Sequence, residues 1–332
     1  IQDDNKIDFA TFDAIGNTTN GTRKDWLFAK SMNNQYPLQF IVNELCFESH
    51  CVLSESVNGD TGVPQLRLIA LDSGSGDTWT KPACRDGEPM VFVHGFQSTK
   101  SYWVPYFKKL HNKYKIIAMD LPGHGNSSRP KNQKYSLQAL SASLERFIEE
   151  KKIDNFHLIG TSMGGGIATV YAHNNPDRVK SLILINPLGI DQEKKSDLQV
   201  LMEKGKNLLF PRNLEEFDEM AIFLTGKPLA LSAYFKKYAL TQMIKNYFFF
   251  KRAFKEMITT SKTLDDILPK IKTKTLILIG KKDKIIHPSS YEYFIRLMPN
   301  AQAVRFKNGA HAFIGKHFNK AIVSIDEFLK EN

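Results

Sequence analysis

Short runs of consecutive apolar residues recur along the chain and alternate with segments of helical periodicity. The runs that predict strands are residues 90–93, 116–119, 156–159, 182–185 and 276–279, and residues 303–306 predict a last strand before the closing helix. Between two of them, residues 135–151 place Leu137, Leu140, Leu144, Phe147 and Ile148 on one helical face. Fully apolar strands separated by amphipathic helices are typical of a parallel sheet covered on both faces. The pattern therefore predicts an α/β fold.

Two parts of the chain depart from this rhythm. Residues 1–45 are polar and without a sustained period, so we expect an N-terminal extension, and the runs 51–57 and 65–71 that follow predict a hairpin. Residues 191–265 contain no strand-like run and hold 8 of the 23 Phe and 4 of the 9 Met residues. We interpret this segment as a helical cap between core segments 46–190 and 266–332. It would line an apolar pocket or form a second helical layer with its own small core.

Composition narrows the class of protein further. The chain has 332 residues, of which 42% are hydrophobic and 24% charged, which excludes a disordered, collagen-like or coiled-coil chain. No apolar run approaches the ~20 residues that a membrane-spanning helix needs. The net charge of +10 permits attraction to anionic surfaces without fixing the fold. We find no motif of a nucleic-acid-binding protein, so we expect no nucleic-acid partner.

The compartment is less constrained by the sequence. The chain starts at Ile1, which fits either a mature chain after signal cleavage or a trimmed one. Cys46 and Cys51 could pair in an exported protein with Cys84 left over, or all three could be reduced thiols in the cytoplasm. We expect a secreted or periplasmic protein, with a cytoplasmic one as the alternative.

The strongest chemical signal is the segment Gly160-Thr161-Ser162-Met163-Gly164-Gly165. It follows a predicted strand and precedes a helix-like segment, which is the context of a nucleophile elbow. In such an elbow the serine hydroxyl projects clear of the sheet. The residues two positions before and two positions after the serine come so close to neighbouring chain segments that a side chain there would collide. Gly160 and Gly164 meet that requirement. Ser162 is therefore the candidate nucleophile.

A serine hydroxyl needs a base within hydrogen-bond reach and a third group that orients the base. Asp283, after the strand at 276–279, is the candidate acid, and Asp191 is its rival. His311, after the last strand and between small neighbours, is the candidate base. His287 and His317 lie nearby in sequence, at a loop end and a helix start.

The negative charge of the transition state also needs prepositioned donors. We predict the backbone N–H groups of Met163, at the start of the helix after the elbow, and of Phe96, in the loop His94-Gly95-Phe96.

We expect structural, non-catalytic roles for another polar segment, in the loop after the strand at 116–119. In Asp120-Leu121-Pro122-Gly123-His124-Gly125-Asn126-Ser127 we expect Asp120 and Ser127 to bind backbone groups, and no catalytic role for His124. The sequence shows neither metal-ligand spacing nor a phosphate-binding loop.

Residues 227–255 carry seven Lys or Arg and no Asp or Glu around Tyr247-Phe248-Phe249-Phe250-Lys251-Arg252. This stretch is either an ordinary solvated face or a surface for anionic membranes.

Taken together, these motifs resemble the α/β-hydrolase superfamily over residues 86–332, and most closely monoacylglycerol-lipase-type hydrolases and related small bacterial lipases. The resemblance implies a triad of Ser162, Asp283 and His311, an oxyanion hole at Phe96 and Met163, and no cofactor. We therefore expect a carboxylic ester hydrolase acting on acylglycerols or other lipid-like esters. The alternatives are a carbon–carbon bond hydrolase or cofactor-free perhydrolase with the same triad, and a non-catalytic, membrane-associated binding protein of the same fold.

Overall fold

The protein is described by a computed structural model that covers residues 52–55, 69–72, 87–111, 113–190, 194–312 and 317–331. The expectations for residues 1–45 and for the three cysteines lie outside this part of the chain, as does the rival acid Asp191. The strands in chain order are β1 (Val52–Glu55), β2 (Ile69–Asp72), β3 (Glu88–Val93), β4 (Tyr114–Met119), β5 (Phe156–Thr161), β6 (Val179–Ile185), β7 (Lys274–Gly280) and β8 (Ala301–Phe306).

All eight strands form one sheet in the order β1-β2-β4-β3-β5-β6-β7-β8. The six strands from β3 to β8 run parallel, while β1 and β2 pair antiparallel with each other and β2 pairs antiparallel with β4. The predicted α/β class and hairpin pairing are confirmed. The strands β3, β4, β7 and β8 begin two residues earlier than predicted. In β3 and β4 these first two residues are half-buried or exposed at the edge of the sheet.

Helices cover both faces of the sheet. Those of the core are α1 (Val104–Leu110), α2 (Leu137–Glu150), α3 (Met163–Asn174), α8 (Ser289–Leu297) and α9 (Phe318–Lys330). Successive residues of β3 point to opposite faces: Val91 and Val93 join the cluster beneath α2, α3 and α8, whereas Met90 and Phe92 join the cluster beneath α1 and α9. This double burial explains the uninterrupted apolar runs.

Four helices lie between β6 and β7 within the described residues: α4 (Asp197–Glu203), α5 (Leu214–Thr225), α6 (Ala233–Lys245) and α7 (Tyr247–Thr260). Polar side chains cap the starts of α4, α5 and α6. The Asn213 side chain accepts a hydrogen bond from the Glu216 N–H at 2.8 Å, and Ser196 and Gln199 form a capping box. Phe217, Met220 and Leu240 form a small core between α5 and α6. None of the helices within the described residues is long and apolar enough to span a membrane.

Candidate active site

The sharp turn between β5 and α3 holds Ser162 in an unusual backbone conformation, with φ 53° and ψ −121°. Its carbonyl accepts hydrogen bonds from the N–H groups of Leu188 at 2.9 Å and Gly166 at 3.1 Å. A side chain on Gly160 would collide with the carbonyl of Gly164, and one on Gly164 with the carbonyl of β3 Val93. The two glycines therefore permit the close approach on which the turn depends.

The carboxylate of Asp283 is the most heavily bonded group at this edge of the sheet. Its Oδ1 accepts the backbone N–H groups of Ile285 at 2.8 Å and Ile286 at 3.0 Å. Its Oδ2 lies 2.7 Å from His311 Nδ1 and accepts the Tyr291 hydroxyl at 2.5 Å. These four contacts hold the carboxylate in place, which fixes the orientation of the imidazole ring.

Tyr291 was not found by sequence reasoning. It lies on α8, eight residues after Asp283, and its side chain is fully buried. Burial and the nearby Asp283 raise the pKa of the Tyr291 hydroxyl well above its usual value, so this group stays protonated and remains a donor. Because a tyrosine with helical spacing normally packs in a core, no sequence signal separates it from its apolar neighbours.

Ser162 and His311 line the same cavity, which has a volume of about 750 Å³. Asp283 lies behind His311 and is 6% exposed. The cavity walls come mainly from the cap and are largely aliphatic, aromatic and methionine side chains; they include Met202, Leu209, Met220, Leu224, Met243, Phe254, Met257 and Ile258. Lys195, the one Lys or Arg of the described lining, is paired with Glu203 at 2.6 Å. A walled, apolar space of this size accommodates a hydrocarbon chain.

The two predicted oxyanion-hole residues lie beside the serine. Phe96 and Met163 both line the cavity, and within the described residues neither backbone N–H has a hydrogen-bond acceptor. Met163 is the first residue of α3, where the N–H groups have no intrahelical partner and the helix dipole is positive. The Phe96 ring packs against Phe250 and Phe254 of α7, with centroid distances of 5.5 and 5.4 Å.

The loop after β4, which begins at Asp120, is held by buried hydrogen bonds and an ion pair next to the candidate site. Asp120 forms a fully buried ion pair with Lys100, accepts the Lys100 N–H at 2.8 Å and the Asn126 N–H at 3.0 Å, and its carbonyl accepts the Ser127 hydroxyl at 2.6 Å. The predicted backbone-binding roles of Asp120 and Ser127 are confirmed. Lys100 was missed, because a single lysine in a polar stretch gives no sign of burial.

The remaining histidines of this region lie away from the cavity lining. His124 is buried beside His94, with ring centroids 5.2 Å apart. His287 Nδ1 lies 2.8 Å from the Ser289 hydroxyl, and the His317 ring packs on Phe306 at 5.6 Å. Of the histidines considered as the base, only His311 lines the cavity within the described residues.

A second Ser-His-carboxylate arrangement lies at the opposite edge of the sheet. His157 Nδ1 is 2.8 Å from Ser181 Oγ, and His157 Nε2 is 3.0 Å from Glu88 Oε2. Ser181, however, is fully buried within β6 and is paired with His157 of β5 on one side and Lys274 of β7 on the other. A substrate carbonyl could not reach it, so this arrangement joins three strands and is no second active site.

A serine held at a sharp strand-to-helix turn, beside a cavity that is also lined by the histidine of a buried Asp–His pair, is typical of hydrolytic enzymes. A sequence model of the alpha/beta hydrolase fold matches residues 88–318. The chain belongs to the α/β-hydrolase family.

Its relatives include lipases. The chain is 28% identical over 250 residues to Lipase 1 of Psychrobacter immobilis, covering 74% of this chain and 78% of that one. It is 27% identical over 251 residues to human monoacylglycerol lipase ABHD6, covering 72% and 74%. The crystal structure of a bacterial membrane phospholipase A superposes with a TM-score of 0.79 at 26% identity, over 91% of this chain and 94% of that one. The protein is an enzyme of the lipase and esterase type within this family.

Proposed function

We propose that the protein hydrolyses carboxylic esters through a triad of Ser162, His311 and Asp283. The observation that carries this proposal is the shared cavity: the elbow serine and the histidine bonded to Asp283 both line it. Asp283 accepts four hydrogen bonds, one of them from His311. This fixed position supports the role of Asp283 as the group that orients His311 and stabilises the charged form of its imidazole.

The reaction proceeds in two halves. The Ser162 hydroxyl oxygen attacks the ester carbonyl carbon while its proton passes to His311 Nε2, and the resulting oxyanion accepts hydrogen bonds from the N–H groups of Phe96 and Met163. His311 then protonates the departing alcohol, which leaves an acyl group on Ser162. In the second half, water loses a proton to His311 and attacks the acyl carbonyl. The bond between the acyl carbon and Ser162 Oγ then breaks while His311 returns the proton to Oγ, which releases the acid and restores the serine.

The walls of the cavity favour a lipid ester as substrate. Long apolar surfaces from α4, α5, α6 and α7 can enclose an acyl chain, and methionine side chains adapt to its shape. The dienone acids cleaved by carbon–carbon bond hydrolases carry a carboxylate, and within the described lining the one basic Lys or Arg already pairs with Glu203. Acylglycerols or similar neutral esters therefore fit this cavity better.

We also propose that the cap contacts anionic membrane surfaces while it takes up such substrates. Lys251 and Arg252 are exposed beside Phe248, whose side chain is 85% exposed. Basic side chains next to an exposed aromatic ring are typical of helices that lie at a membrane surface.

Replacement of the nucleophile tests the proposal. Wild-type enzyme is expected to hydrolyse p-nitrophenyl esters and a graded series of monoacylglycerols, and Ser162→Ala is expected to lose this turnover with an unchanged circular dichroism spectrum. Ser181→Ala, which removes the serine of the second Ser-His-carboxylate arrangement, is the matched control and should retain turnover. Hydrolysis that persists in Ser162→Ala would exclude the assignment.

A further inference from the structure

Asn186 directly follows β6, and its side chain is fully buried between the loops that carry the acid and the base. Its Nδ2 donates hydrogen bonds to the carbonyl oxygens of Ala310 at 3.0 Å and His311 at 2.8 Å. Its Oδ1 accepts the backbone N–H of Gly280 at 2.8 Å. Gly280 ends β7, three residues before Asp283. One amide group thus bonds to both loops.

The backbone around Asn186 supports the same arrangement. Its N–H donates to the carbonyl of Leu278 at 3.1 Å, which continues the pairing of β6 with β7 beyond the last strand residue. Its φ of 43° lies in the left-handed region, which asparagine tolerates better than most residues. A Cβ on Gly280 would collide with the Ala310 carbonyl, so the two loops also touch through their backbones.

These contacts bear on catalysis because Asn186 holds the backbone of His311, and the position of that backbone determines whether the imidazole ring can bond to Asp283. The hydrogen bond from Asn186 reaches the His311 carbonyl, and the 2.7 Å pair with Asp283 involves the ring of the same residue. A small displacement of either loop would lengthen that pair or turn the imidazole away from the cavity. Asn186 itself is not among the residues that line the cavity in the described part of the chain.

We propose that Asn186 is a positioning residue that sets the relative placement of Asp283 and His311. This inference rests on the proposed triad. It predicts an effect on the chemical step and little effect on substrate binding, since the side chain acts through the two loops and does not contact the substrate.

Two substitutions of Asn186 distinguish the effect of losing its side-chain hydrogen bonds from the effect of straining the backbone at this position. Asn186→Gly removes the amide while its backbone adopts φ 43° without cost, and Asn186→Asp keeps the size and the acceptor but loses both donors. In both variants we expect kcat to fall about 100-fold and KM to change by less than about threefold. The low-field proton resonance of the His311 Nδ1–H, measured by NMR on the folded variants, should shift or disappear.

Ser290→Ala is the matched control. The Ser290 hydroxyl is buried in α8 and has no hydrogen-bond partner within the described residues, so its removal should leave kcat and the resonance unchanged. A folded Asn186→Gly or Asn186→Asp enzyme with wild-type kcat and an unshifted resonance would overturn the proposal. Loss of the fold in both variants would equally overturn it, in favour of a structural role. An inactive wild-type enzyme would instead count against the proposed function.

Discussion

Two histidines behind the active-site edge are buried in neutral form. The His94 Nδ1–H donates to the Gly95 carbonyl at 2.8 Å, and its Nε2 accepts the Leu121 N–H at 3.0 Å, which joins the loops after β3 and β4. Burial lowers the pKa of His94 to about 4. Burial and the neighbouring His94 lower the pKa of His124 to about 3. Their imidazole rings therefore support the loop that carries Phe96 without adding charge beside the proposed oxyanion hole.

These lowered pKa values make stability depend on pH. Above pH 6.5 both histidines are neutral in the folded and unfolded chains; as the pH falls, only the unfolded chain takes up protons until the folded pKa values of about 4 and 3 are reached. The free energy of unfolding should fall by about 1.4 kcal/mol per pH unit for each of them.

The variant His124→Asn isolates one of these contributions, because its amide nitrogen can replace imidazole Nδ1 as donor to the Pro122 carbonyl. Denaturant unfolding between pH 6 and 4 should then show a slope that is smaller by about 1.4 kcal/mol per pH unit. Equal slopes in the two proteins would contradict the assignment.

At the level of elements, the cap differs from the core in what it exposes. Among the described residues, nine large hydrophobic residues are exposed, and eight of them lie in the cap: Val200, Leu214, Ile222, Leu231, Tyr234, Ile244, Phe248 and Ile258. The helix α7 is fixed to the core, since Glu256 accepts the Tyr135 N–H at 3.0 Å and Ser261, just after it, accepts the Leu137 N–H at 3.0 Å. The helix α5 contacts the loop that carries His311 through the Leu224 carbonyl, which accepts the Ala312 N–H at 3.0 Å. A fixed helix with a basic, aromatic outer face suits contact with a membrane surface.

Charge reversal on α7 tests that contact. Lys251→Glu with Arg252→Glu should weaken binding to vesicles that contain anionic lipid by about 30-fold or more, because each basic residue near such a surface contributes about 1 kcal/mol. Lys272→Glu with Lys274→Glu makes the same change in net charge at the amino end of β7 and should bind as the wild type does. If both double variants bind vesicles equally, α7 is not the contact surface.

For the molecule as a whole, the sequence predicted the features that follow from local patterns. The buried strands, the helices after them and the turn at Ser162 were predictable, because apolar runs and paired glycines reflect local geometry. The hydrogen bonds of Tyr291 and Asn186 and the buried ion pair of Lys100 were not. The Asn186 contacts join segments 94 to 125 residues apart, which meet only in the folded sheet. Those of Tyr291 and Lys100 span only 8 and 20 residues, but tyrosine and lysine are common in roles without any such partner.

The central claim is that Ser162 is activated by His311, and the rate of fluorophosphonate labelling tests it most directly. Mass spectrometry of the wild-type enzyme should locate the label on Ser162, and His311→Gln should lower the labelling rate constant by at least about 1000-fold in a protein that remains folded. A label on a different residue, or equal labelling of Ser162 in His311→Gln, would contradict the account.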